Sequence, residues 1–153
     1  MIRRAQPADV AQLLVLMRKL AEFEGYSNRF CVTELALTER GFAVDRSTEF
    51  IAWLAEDSHA PVGYAIAYII PFTFDLRPTV VLKELFIDEP ARGKRYGSQL
   101  FAPVIQFSRT IDARLMRFQV LPNNHAAKHF YRARGGKCER EWEHWVLDLE
   151  SVR

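Results

Sequence analysis

The chain has 153 residues, 49% of them hydrophobic, enough for one buried core with no compositional break to mark a second, so residues 1–153 read as one domain. Lys and Arg (21) nearly balance Asp and Glu (19), and a net charge of +2 excludes recruitment by bulk electrostatics to nucleic acid or a membrane surface. Cys31 and Cys138 stand far apart without metal-type spacing, so free thiols in a reducing, cytoplasmic setting are expected rather than a disulfide or a metal site, and the longest apolar run, Ala65 to Phe72, falls far short of a bilayer span.

Ile2 to Ala5 suit a first strand, and Pro7 fits the first turn of a helix, where its missing N–H costs nothing. Val10, Leu13, Leu14, Met17, Leu20 and Ala21 share one face, which predicts a helix from about Pro7 to Phe23. Glu22, Glu24 and Tyr26, at its end and in the loop beyond, are candidates for the rim of a cationic substrate site or for solvated surface. Thr33 is an N-cap for a short second helix through about Arg40, ended by Gly41. Residues 50–55 are apolar on both faces, as in a covered strand; a turn at 57–61 and a long strand from Val62 to Phe72 follow. His59, in that turn, reads as exposed.

The next strand, with Val80, Leu82, Leu85 and Ile87, should lie antiparallel to its predecessor, and a helix from about Gly97 to Thr110 follows it. Arg114 to Val120 alternate as a fifth strand, and the strand, helix, strand order implies a right-handed crossover and a parallel pair. Pro122-Asn123-Asn124 cap a helix from Ala126 to Ala133, stopped by Gly135-Gly136. Trp142 to Leu149 alternate as a C-terminal strand. The expected class is α/β: a mixed sheet flanked by helices.

Between the fourth strand and its helix lies the turn Arg92-Gly93-Lys94-Arg95-Tyr96-Gly97-Ser98, three basic residues beside two glycines. Unpaired N–H groups at a helix N-terminus, with the positive end of its dipole, favour a phosphate, and glycine lets main chain approach it closely. The basic residues by themselves also fit a solvated surface turn. The turn matches neither a Walker A loop nor a GxGxxG dinucleotide turn, so a different phosphorylated ligand is expected.

Read with Asn124, Ala127, Phe130, Tyr131 and Gly135, which match Asn-x-x-Ala-x-x-Phe-Tyr-x-x-x-Gly, the turn resembles that of the GCN5-related N-acetyltransferase (GNAT) superfamily, whose form is Gln/Arg-x-x-Gly-x-Gly/Ala. Arg95 stands where the inner glycine would be. The segments 16–24, 37–42 and the Trp-rich tail are similar to the diamine (spermidine/spermine and thialysine) acetyltransferase branch, although that branch has two adjacent carboxylates where this chain has Lys83-Glu84.

The resemblance implies a mostly antiparallel sheet whose fourth and fifth strands splay apart, about four helices, and acetyl-CoA as cosubstrate without a metal. It implies cofactor contacts at Phe86, Ile87, Arg92, Gly93, Lys94, Arg95, Tyr96, Gly97, Ser98, Asn124 and Phe130. Tyr131 becomes the acid for the leaving thiol, Glu84 the base for the amine, and Trp142 and Trp145 a homodimer contact. Glu22, Glu24, Tyr26 and Lys83 become candidates for the acceptor pocket of a small-molecule amine. An alkylammonium has a pKa near 10.4, so holding the amine neutral at pH 7 costs about 4 kcal/mol, which makes a base useful. Glu84 is equally a cross-strand partner for an Arg or Lys, and Tyr131 equally a packing aromatic. A coenzyme-A-binding regulatory module and a protein lysine or N-terminal acetyltransferase are the alternative functions.

Overall fold

The computed structural model describes residues 1–44 and 47–150, which fall into two compact units, Met1–Gln119 and Val120–Arg153. The first holds strands β1 (Ile2–Arg4), β2 (Ile51–Asp57), β3 (Ala60–Ile70), β4 (Thr79–Ile87) and β5 (Leu115–Phe118), with helices α1 (Val10–Glu24), α2 (Glu34–Gly41) and α3 (Tyr96–Thr110). The strands form one sheet in the order β1-β2-β3-β4-β5, antiparallel except for the β4–β5 pair. The second holds α4 (His125–Arg132). This is the mixed α/β sheet the sequence predicts, including the parallel pair.

Helix α1 forms because its apolar residues recur at helical spacing, and Leu13, Leu14, Met17 and Leu20 all bury against the sheet. Pro7 opens a 3₁₀ turn, Pro7–Asp9, so the α-helix begins later than the periodicity suggests. Gly25 ends the helix in the left-handed region (φ 77°), where a side chain is disfavoured, and the Tyr26 N–H returns to the Ala21 carbonyl at 2.9 Å. In α2 the Thr33 hydroxyl accepts from the Ala36 N–H at 3.2 Å, the cap expected from sequence.

One core lies between α1, α2 and the sheet face bearing Ala52, Leu54, Tyr64, Ile66 and Phe86. Each such leucine stabilises the fold by about 1.5–3 kcal/mol through burial. Trp53, pointing the opposite way from its neighbours on β2, meets Phe107 of α3 at 5.8 Å between ring centroids, so α3 covers the other face.

The register of β3 on β4 slips once. Ile66 faces Glu84 and Ala67 faces Leu82, leaving Lys83 without a partner, a β-bulge. Residues directly opposite share a face, and Ile66 and Ala67 point to opposite faces. Leu82 and Glu84, two apart, therefore also lie on opposite faces, and the bulge delivers Glu84 to the α1 side of the sheet.

The predicted C-terminal strand is not formed. Residues 142–149 join no ladder among the described residues, and Trp142, Trp145 and Val146 are exposed. Alternation specifies which side chains would share a face, but a strand needs a hydrogen-bonding partner, which the alternation does not supply. Cys31 and Cys138 are both free and exposed. No helix is long and apolar enough to cross a membrane among the described residues.

Candidate active site

The centre of the site is the Glu84 carboxylate. It is half-buried on β4, and the Tyr64 hydroxyl of β3, itself fully buried, donates to its Oε2 at 2.8 Å. Burial pushes the Glu84 carboxyl above the ordinary glutamate range; the Tyr64 hydrogen bond and the Lys83 charge pull it back only in part, and Glu24 adds repulsion. Tyr26 is pushed up to about 12, by burial first and then by the charges of Glu84 and Glu24. The Glu24 carboxyl is likewise raised by desolvation and lowered by Lys83. Glu24, Tyr26, Lys83 and Glu84 are thus electrostatically linked to one another. Glu22 is exposed and takes no part in the shifts of the others.

Tyr64 is the member that sequence reading missed. It lies in an apolar strand, where a tyrosine reads as ordinary core, and only the register of β3 on β4 reveals its partner. Glu84 has no salt bridge to an Arg or Lys across the sheet among the described residues; its cross-strand partner is a phenol.

The β4–β5 ladder ends at Leu82 and Phe118, while β4 continues to Ile87, so the stretch from Lys83 to Ile87 runs on past β5. Phe86 and Ile87 lie in this splayed part, beyond the last β4–β5 pair.

Beyond β4, a 3₁₀ turn, Glu89–Ala91, leads to the basic turn. Gly93 (φ 80°) and Arg95 (φ 67°) both take the left-handed conformation, so Arg95 occupies a position where glycine would be unstrained. Arg95 is the N-cap of α3 and its side chain does not cap it, so Tyr96, Gly97 and Ser98 form a first turn without an N-cap side chain. The Arg92 Nε donates to the Ile87 carbonyl at 3.1 Å, and its guanidinium lies 4.9 Å from the Phe23 ring centroid and 6.0 Å from that of Phe86. Lys94 pairs with Asp57 at 3.1 Å, which holds the Asp57 carboxyl below its usual range. Arg92, Lys94 and Arg95 all remain exposed. A basic turn at an uncapped helix N-terminus fits a phosphorylated ligand.

In the second unit, the Asn124 side chain accepts from the Ala127 N–H at 3.0 Å and caps α4. Phe130 and Tyr131 pack edge to face at 5.2 Å between centroids, and the Arg134 guanidinium lies 3.6 Å from the Phe130 centroid. Asn124, Phe130 and Tyr131 are each half-buried. No group of three or more His, Cys, Asp or Glu among the described residues could hold a metal ion.

The sequence profile described as acetyltransferase (GNAT) family matches residues 16–135, from within α1 through the Asn124 to Gly135 motif. The chain belongs to the acetyltransferase (GNAT) family. It is 31% identical to a Bos taurus thialysine N-epsilon-acetyltransferase over 95% of its own length and 88% of the relative's. It is 26% identical to the Homo sapiens spermidine/spermine N(1)-acetyltransferase-like protein 1 over 95% of its length, though that match covers 22% of the human protein. Its fold matches the crystal structure of an aminoglycoside acetyltransferase from an uncultured soil metagenomic sample, with a TM-score of 0.80 at 18% identity, covering 97% of this chain and 95% of that one. Family and relatives together make this GNAT member an N-acetyltransferase.

Proposed function

We propose that the chain is one acetyltransferase domain that moves the acetyl group of acetyl-CoA to a primary amine of a small molecule, a diamine, polyamine or amino-acid-like compound, by direct attack in a ternary complex. The observation that carries this reading is the half-buried Glu84 carboxylate, held by Tyr64 within a group of two carboxylates and two phenols, on the strand that leads into the basic turn. Such a group favours a cation at its mouth, and a carboxylate raised above its ordinary pKa is a better acceptor for an ammonium proton.

Acetyl-CoA would supply an activated thioester, which the GNAT enzymes use. Arg92, Gly93, Lys94, Arg95 and the first turn of α3 would hold its phosphates, and the main chain at Phe86 and Ile87 its amide-bearing arm and thioester oxygen. Glu84 takes a proton from the acceptor ammonium, directly or through a water, and frees the nitrogen lone pair. Tyr131 is assigned the proton that the departing sulfur takes up, a lighter task because a thiol of pKa about 8.5 leaves well as thiolate. Asn124 orients the segment that carries Tyr131. The relatives acting on thialysine and on spermidine or spermine by name, and the aminoglycoside enzyme of like fold, support a small amine as acceptor. Trp142, Trp145 and Val146, exposed on the tail, support a homodimer.

The test is thiol release from acetyl-CoA across a panel of diamines, polyamines, lysine-like amino acids, aminoglycosides and lysine-containing peptides. Turnover of a small amine is expected. Acetyl-CoA binding with no turnover on any acceptor would replace this reading with a coenzyme-A-binding module.

A further inference from the structure

We propose that Tyr64 is the positioning residue of the base: its hydroxyl holds Oε2 of Glu84, leaving Oε1 as the oxygen that takes the proton from the acceptor amine. The inference rests on the acetyltransferase reading for the identity of the proton donor, and on geometry for the rest. Tyr64 is fully buried, its ring packs 6.1 Å from Phe86 between centroids, and its hydroxyl reaches Oε2 at 2.8 Å.

A phenylalanine would fill the same space without burying a hydroxyl. Burying that group costs about 1–3 kcal/mol unless it is bonded, so the phenol is matched to the carboxylate rather than to the core. Burial and the adjacent Glu84 charge drive the Tyr64 phenol far above its ordinary range, so it remains a donor at every pH the protein meets. A permanent donor facing Oε2 has a stereochemical result. While Tyr64 donates to Oε2, the proton Glu84 gains sits on Oε1, and the carboxyl cannot turn over to present the other oxygen without breaking the bond.

The other ionisable groups facing Glu84 are Lys83 on its own strand and Glu24 and Tyr26 at the end of α1. Among these, Lys83 also favours the ionised carboxylate, whereas Glu24 opposes it. Tyr64 is the one that combines a favourable effect with a fixed contact.

Tyr64→Phe should move the acid limb of the kcat/KM profile for the amine up by about one pH unit, because a hydrogen bond to the charged form is lost. The plateau kcat should fall about tenfold as the carboxylate loses its orientation, while KM for acetyl-CoA stays within twofold. Carboxyl-¹³C glutamate NMR should show the Glu84 midpoint rising by the same amount. An unmoved limb with an unmoved midpoint overturns the assignment. Should Tyr64→Phe fail to fold, the wild type decides: the ¹³Cζ resonance of Tyr64 should follow pH with the Glu84 midpoint, and a flat response overturns it. Coupled titrations in a protein that acetylates no amine sink the acetyltransferase reading, and the base role with it. Uncoupled titrations in an active enzyme sink only Tyr64.

Discussion

The pocket around Glu84 and the basic turn at 92–98 are separated by a few residues of chain, yet they handle charge in opposite ways. In the pocket a carboxylate is withdrawn from water, contacts a buried phenol, and titrates above its ordinary range. In the turn the charges stay in water, where Lys94 is matched by Asp57 and Arg92 leans on Phe23. Electrostatic effects are large where solvent is excluded and modest where it screens. Changes in the pocket should therefore act on rate and on pH dependence, and changes in the turn on affinity and its salt dependence.

Glu84→Gln is the strongest way to break that contrast. It should lower kcat/KM for the amine by about 10²–10⁴-fold and remove the acid limb of the profile, measured by thiol release from pH 5 to 9. The sign for stability follows from the raised pKa. A carboxyl raised in the folded state stabilises fully below its unfolded value of about 4.3, and that contribution is lost as pH rises through the folded value. The Tm of the Gln variant relative to wild type should therefore climb between acid and neutral pH. A loss of acetyl-CoA affinity in place of rate would erase the distinction between the two regions.

Tyr131→Phe should lower the maximal rate about tenfold or more with little change in acetyl-CoA affinity, read by initial rates and by titration calorimetry. A change confined to affinity would remove it from the proton-transfer step. Arg92→Ala should weaken acetyl-CoA binding about tenfold at low salt, with a smaller difference at high salt, and leave circular dichroism unchanged. Unchanged affinity would defeat the phosphate-holding role of the turn. The smallest effect is expected from Arg95→Gly, which relieves a left-handed arginine and should raise Tm by about 2–4 °C, from about 1 kcal/mol, in differential scanning calorimetry. A lower Tm would show that the Arg95 side chain stabilises the turn more than its backbone strain costs.

The features legible in the sequence were those set by neighbours in the chain. The Thr33 and Asn124 caps and the spacing of α1 and α3 depend on residues three or four positions away. The site needed long-range register. Nothing local shows that Lys83 drops out of the ladder, so the face on which Glu84 emerges could not be read from alternation. Tyr64 escaped notice for the same reason, since its partner lies twenty positions away. The tail shows the converse failure, a strand pattern with no strand beside it among the described residues. In the turn, Arg95 conceals its own conformation, because the sequence offers no glycine to announce a positive φ.

The bulge at Lys83 makes the pocket depend on the length of β4 as well as on its composition. Were Lys83 paired in a plain ladder instead of bulged out of it, alternation would run unbroken and every side chain on one flank of it would exchange faces with respect to the other. Glu84 would then share the face of Leu82, two positions away, and part from Tyr64, Tyr26 and Glu24, although no chemical group had been changed. The side of the sheet on which Glu84 stands is in this sense a matter of counting, a phase carried by a single bulged residue.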